Sequence, residues 1–296
     1  MRPNQTAVRP AAPGSGLLIN ADDSPESLLA RGIKLPPQPR ALQQIQMLAE
    51  AGGATARQVA AVVATDPGLT AALYRVARSP LYARRVAPQT VEQVVVLLGV
   101  NATLTYAQAE CLQSVSAGDP RVLERFWARS RAIAQLTELI AGNLPGRLPF
   151  TPSEAYLTGM FHDCGVPVLM QRFPDYCRSV GLQGQMQRWV EIADEDRHFA
   201  CDHAVLGLLL ARHWRLPDRV AQAIHHHHEA ASQAEISVLM LVRTLQIAMA
   251  IYAEDLGLHE KGMPTNGLAA ADLQVSEDEL GELIDYVREQ FLEHVN

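Results

Sequence analysis

The stretch Ala155-Tyr156-Leu157-Thr158-Gly159-Met160-Phe161-His162-Asp163-Cys164-Gly165 ends an apolar, helix-forming segment with a histidine followed directly by an aspartate. His203 and the run His225-His226-His227-His228-Glu229 come later in the chain. In the last turn of a helix stopped by Gly165, neighbours about 100° apart converge on one point beyond the helix end. An imidazole nitrogen and a carboxylate oxygen meeting there suit Fe, Mn or Zn.

Outward from the doublet the chain reads as all-α. Apolar residues recur at helical spacing from Leu35 onward, and no long stretch alternates with the period of two expected of a half-buried strand. Asp66-Pro67 reads as an N-cap with proline in the first turn, Thr90 as a cap for Val91 to Leu98, and Ser276 with Glu279 as a capping box. Asn101 is expected to open the helix after Gly99, and Asp119-Pro120 a long one through Ile140. Residues 1–34, rich in Pro, Ala, Gly and Ser, are expected as a mobile tail. An N-terminal helical bundle over 35–118 follows, then a second bundle over 119–255 carrying the doublet, then a helical extension over 256–296.

Composition removes several classes of function. With 25 basic against 32 acidic residues, a charge of -7 offers no case for gripping a nucleic-acid backbone. The four cysteines form no Cys-x-x-Cys pair, so neither a disulfide framework nor a zinc ribbon is expected, and a reducing cytoplasm is the simplest home. No run of about 18 uninterrupted apolar residues predicts a membrane span.

Helical phase then selects the inward histidines. Val220 and Ile224 set the buried face of their helix, so His227 or His228, or both, point inward while His225 and His226 rotate away. His203 shares a face with Leu206, Gly207 and Leu210, and Gly207 permits close approach of another helix. The candidate metal ligands are therefore His162, Asp163, His203, His227 and His228. A buried His-Asp pair can also be a purely structural hydrogen-bonded cluster, and spacing alone weighs the two evenly. Arg129 and Arg131 read as a solvated helix face.

Several segments in order resemble the HDOD domain, a bacterial signalling relative of the HD phosphohydrolase superfamily. They are Leu35-Pro36-Pro37, Asp66-Pro67-Gly68-Leu69-Thr70, Ala77-Arg78-Ser79-Pro80-Leu81-Tyr82, Val95-Val96-Leu97-Leu98-Gly99 and Trp127-Ala128-Arg129-Ser130. Gly159 to Gly165, Cys201 to Gly207 and His213-Trp214-Arg215-Leu216-Pro217 complete the series. The resemblance implies an N-terminal bundle packed on an HD-like bundle, working in signal transduction through a partner protein.

It also implies two departures. Active HD enzymes carry a further histidine about thirty residues before the doublet, where this chain has Trp127 to Ile133 with Arg129 and Ser130 and no histidine. They also end with an aspartate on a late helix, for which Gln246 stands here. The expected function is a non-catalytic regulatory module. A metal-dependent phosphohydrolase with a reduced site is the alternative, and a metal or small-molecule sensor the second alternative.

Overall fold

The computed structural model describes residues 19–82, 87–183, 189–228, 235–256 and 265–295. Among these residues every regular element is a helix. Local chemistry sets many of the helix starts. Ser24 caps α1 (Pro25–Ala30), Asp66 caps α4 (Pro67–Ala77), Thr90 caps α5 (Val91–Leu98) and Asp119 caps α7 (Pro120–Gly142), each side-chain oxygen accepting a backbone N–H of the first turn. Thr55 and Thr151 close reciprocal capping boxes with Gln58 and Glu154 at the starts of α3 (Ala56–Val63) and α8 (Pro152–Phe161).

The first bundle joins α2 (Arg40–Glu50), α3, α4, α5 and α6 (Val100–Val115). The second is built around α7 and α8, followed by α9 (Gly165–Arg172), α10 (Tyr176–Ser179), α11 (Ile192–Phe199), α12 (His203–His213), α13 (Asp218–His226) and α14 (Ile236–Asp255). The chain closes with α15 (Asn266–Leu273) and α16 (Glu277–Val295), and α16 lies back against α7. As expected, Ser276 Oγ accepts the Glu279 N–H, 3.1 Å. One continuous apolar core runs through both bundles, and α6 packs on α8 to join them. Helix α14 has membrane-like hydropathy, 1.8 over its most apolar window, because 78% of that window is buried and it has no solvent face to keep polar.

Three expectations change. The first 18 residues of the expected tail lie outside the described residues, but Ile19, Leu28 and Ile33 are buried in the core and Pro25–Ala30 is helical. Averaged composition hid three well-spaced apolar anchors. Helix α6 begins at Val100, one residue before Asn101. Gly165 starts α9 rather than ending α8, which stops at Phe161. A Cβ on Gly165 would lie 2.2 Å from the His203 carbonyl oxygen, so glycine is required there to seat α9 on the start of α12. Gly207 does what its position implied, with Ile224 of α13 filling the space a side chain would take.

Candidate metal centre

His162 and Asp163 occupy the tight connection between α8 and α9, and both are fully buried. His162 Nδ1 lies 2.6 Å from the Gly159 carbonyl. A carbonyl only accepts, so Nδ1 carries the proton and Nε2 is left with a lone pair. That lone pair faces Arg129 Nη1 at 2.6 Å.

Arg129 comes from α7 and is buried, 2% exposed, not on a solvated face as its charge suggested. The same Nη1 donates to Asp163 Oδ2 at 2.5 Å, and the guanidinium stacks on the Trp189 ring, 4.5 Å from its centroid. Trp189 Nε1 donates to that same Oδ2 at 2.6 Å. Trp189 is thus both a buried core residue and a hydrogen-bond donor to the carboxylate. Arg129 and Trp189 together saturate one side of Asp163.

The other side is open. Asp163 Oδ1 is buried and has no hydrogen-bond partner among the described residues, although it lies 3.3 Å from Nε2 of both His203 and His227. His203 Nε2 stands 3.4 Å from His227 Nε2 and 3.0 Å from His228 Nε2. The ligand atoms of Asp163, His203, His227 and His228 all lie within 4.8 Å of one another.

Surrounding groups fix these rings. Glu195, fully buried on α11, accepts both the backbone N–H of His203, 2.9 Å, and its Nδ1–H, 2.6 Å, while its other oxygen takes the Tyr176 hydroxyl. His227 Nδ1–H donates to the Ile224 carbonyl, 2.6 Å. Both rings therefore turn Nε2 toward Asp163 Oδ1, the orientation that outer hydrogen bonds give to ligating histidines. Sequence reasoning missed Glu195, because Asp194-Glu195-Asp196 reads as a solvated acidic run; its one signal was a position eight residues before His203.

Charge is finely balanced here. Burial opposes ionisation of Asp163, but the Arg129 guanidinium 2.5 Å away holds its carboxyl well below the usual range. Burial also opposes a charge on His203, yet Glu195 and Asp163 push it up to about 9. His227 is drawn down to about 4 by burial, and His228 falls further, through burial and the neighbouring His227 and His203. Among the three converging histidines, His203 is the one whose charged form is favoured.

Of the five sequence-predicted ligands, Asp163, His203, His227 and His228 converge, whereas His162 is directed at Arg129. His225 and His226 are half-buried and lie outside the group, their ring planes tilted 58° to each other. Gln246 donates to the His227 carbonyl at 2.9 Å and accepts from Arg243 at 2.6 Å, so it braces the loop that carries His227. For a tetrahedral ion with bonds of about 2.0–2.1 Å, ligand edges are about 3.3 Å. The orphaned Oδ1 and three converging nitrogens could hold a metal ion.

Comparisons with known proteins place this arrangement. The chain aligns with an HDOD domain protein of unknown function from Geobacter sulfurreducens at 21% identity and a TM-score of 0.65, over 89% of this chain and 94% of that one. A candidate signal transduction protein from Marinobacter aquaeolei VT8 aligns at 21% identity and a TM-score of 0.68, over 90% of this chain and 60% of that one. A candidate phosphohydrolase from Shewanella amazonensis SB2B aligns at 20% identity and a TM-score of 0.65, over 94% and 98%. These likenesses bear on the fold. No curated protein matches. The HDOD domain profile matches residues 35–230, spanning the first bundle, the His-Asp doublet and the histidine run, and the chain belongs to the HDOD domain family.

Proposed function

We propose that this chain is a non-catalytic HDOD regulatory module that works through contacts with a partner protein, and that its buried centre holds one divalent ion at most. The observation that carries the reading is Arg129. Its guanidinium sits on His162 Nε2 and Asp163 Oδ2, the two donor atoms that a second ion would need. A fixed cation there repels a metal, and having no empty orbital for a water lone pair it cannot activate water as a metal does. A bound ion acts as a Lewis acid and lowers the pKa of its water. Here the protein would hold that ion through Asp163 Oδ1 and Nε2 of His203, His227 and His228, a closed set of four. Closed tetrahedral sets belong to structural ions, whereas catalytic ones keep a position open.

The test is hydrolysis of cyclic dinucleotides and nucleotides by untagged protein supplied with Mn²⁺, Fe²⁺ or Zn²⁺. No metal-dependent turnover is expected. Turnover abolished by Asp163→Asn would refute the regulatory reading and leave a reduced phosphohydrolase.

The converging nitrogens favour a second reading, that the module senses a metal. Occupancy would replace the proton on His203 with an ion tied to the α8–α9 connection, the start of α12 and the end of α13, and so alter their packing. Partner affinity that changes with Zn²⁺ would select this reading over simple scaffolding.

A further inference from the structure

At the junction of the two bundles lies a cleft of about 310 Å³, away from the metal centre. The first bundle lends it Arg75 and Ser79, α7 lends Arg131, Gln135 and Glu138, and Phe291 of α16 closes one end. Its volume is at the small end of the range for ligand sites, about 300–1,000 Å³.

Four observations single it out. Ser79 Oγ is buried and has no hydrogen-bond partner among the described residues, an unusual state for an interior hydroxyl. Arg131 meets the Gln113 amide, 2.9 Å, and no carboxylate among the described residues, so its charge is uncompensated. Glu110, the one acidic group facing the cleft from α6, is already neutralised by Arg75 at 3.0 Å and takes the Tyr156 hydroxyl at 2.7 Å. Glu138 is wholly buried, accepts the Tyr106 hydroxyl, and is kept in its neutral acid form by that burial, which raises it to about 8. The balance is one net positive charge in a cleft whose walls offer guanidinium, hydroxyl and amide donors. Ala128 and Ala132, one turn apart on α7, leave room beside them.

We propose that this cleft binds a small phosphomonoester, with its phosphate toward Arg131 and Arg75 and its body against Ala128, Ala132 and Phe291. A phosphate dianion has three acceptor oxygens, enough for two guanidinium groups and the Ser79 hydroxyl together; a carboxylate has two. The site uses no residue of the metal centre and does not depend on the regulatory reading.

Isothermal titration calorimetry of the full chain tests it, with inorganic phosphate, ribose 5-phosphate and AMP as probes, and ribose and malate as controls. Saturable one-site binding of ribose 5-phosphate or AMP, and none of ribose, is expected. Arg131→Gln should weaken it about tenfold, the loss expected for one charged hydrogen bond. Ala132→Phe, at a half-exposed site, should weaken it by filling the cleft while every charge remains. Three results overturn the proposal: no saturable binding of any phosphate probe, binding indifferent to both substitutions, or tighter binding of malate than of the phosphate compounds.

Discussion

Arg129 and Asp163 form an ion pair with 2.5 Å between Nη1 and Oδ2, both side chains nearly or wholly sealed from water. Removing one partner of such a pair strands a charge in the interior, which costs about 3–5 kcal/mol. Arg129→Gln should therefore lower unfolding stability by that amount, read from urea denaturation at neutral pH. Arg129→Lys should recover little, because a single ammonium cannot stack on Trp189 and bridge His162 and Asp163 together. With Arg129→Gln, added Zn²⁺ should restore part of the loss, since the ion no longer meets a fixed cation.

Elemental analysis of untagged protein should find no more than one equivalent of transition metal. Titrating Zn²⁺ into the metal-free form should raise the thermal midpoint, and at about 100 times the dissociation constant the gain is about 2.7 kcal/mol. His228→Ala is the informative variant, because this half-buried ring is at the edge of the group and its loss should weaken the ion more than the fold. Two equivalents per chain in the native protein would contradict the one-ion centre.

Glu138 makes stability depend on pH. Its folded value, raised by burial to about 8, lies above the ordinary 4.5. Folding therefore holds the proton that the unfolded chain would release. The associated stability is fully present below about 4.5 and is lost as pH rises to about 8, at about 1.4 kcal/mol per unit for one group. Glu138→Gln keeps the neutral shape without the proton. It should flatten this slope, leaving stability near wild type at pH 5 and above wild type at pH 8 in chemical denaturation.

Gly165→Ala should be among the most damaging single-methyl changes in the chain. The added Cβ would meet the His203 backbone at 2.2 Å, where no side chain can swing aside. A loss of about 3 kcal/mol is expected, together with weaker Zn²⁺ binding as α12 and its His203 are displaced.

The helices were legible where local chemistry decides them. Asp66, Thr90 and Asp119 each cap the backbone a few residues on, so the signal and its effect sit together in sequence. Helical phase likewise brought His203 and His227 inward, and the structure buries both. What could not be read was the interior use of charge. Arg129, Glu138 and Glu195 look like solvated residues until helices distant in sequence close over them, and their partners lie 34, 32 and 8 positions away. The bond of Trp189 to Asp163 was not legible either, since the two residues lie 26 positions apart. The anchors of the first segment, Leu28 and Ile33, were diluted by the Pro- and Ala-rich residues before them.

Helix α7 spans 23 residues, about 35 Å, and carries Arg129 and Arg131 roughly 200° apart around its axis. One flank is pinned to the buried carboxylate, and the other forms a wall of the junction between the bundles. A stiff rod gripped on both sides cannot turn or slide for one of them alone. If the junction and the ion site are both filled, a setting of α7 preferred by one occupant would be felt at the other, by the same factor in each direction. Two chemically unrelated signals would then be read as one mechanical variable, the position of a single helix.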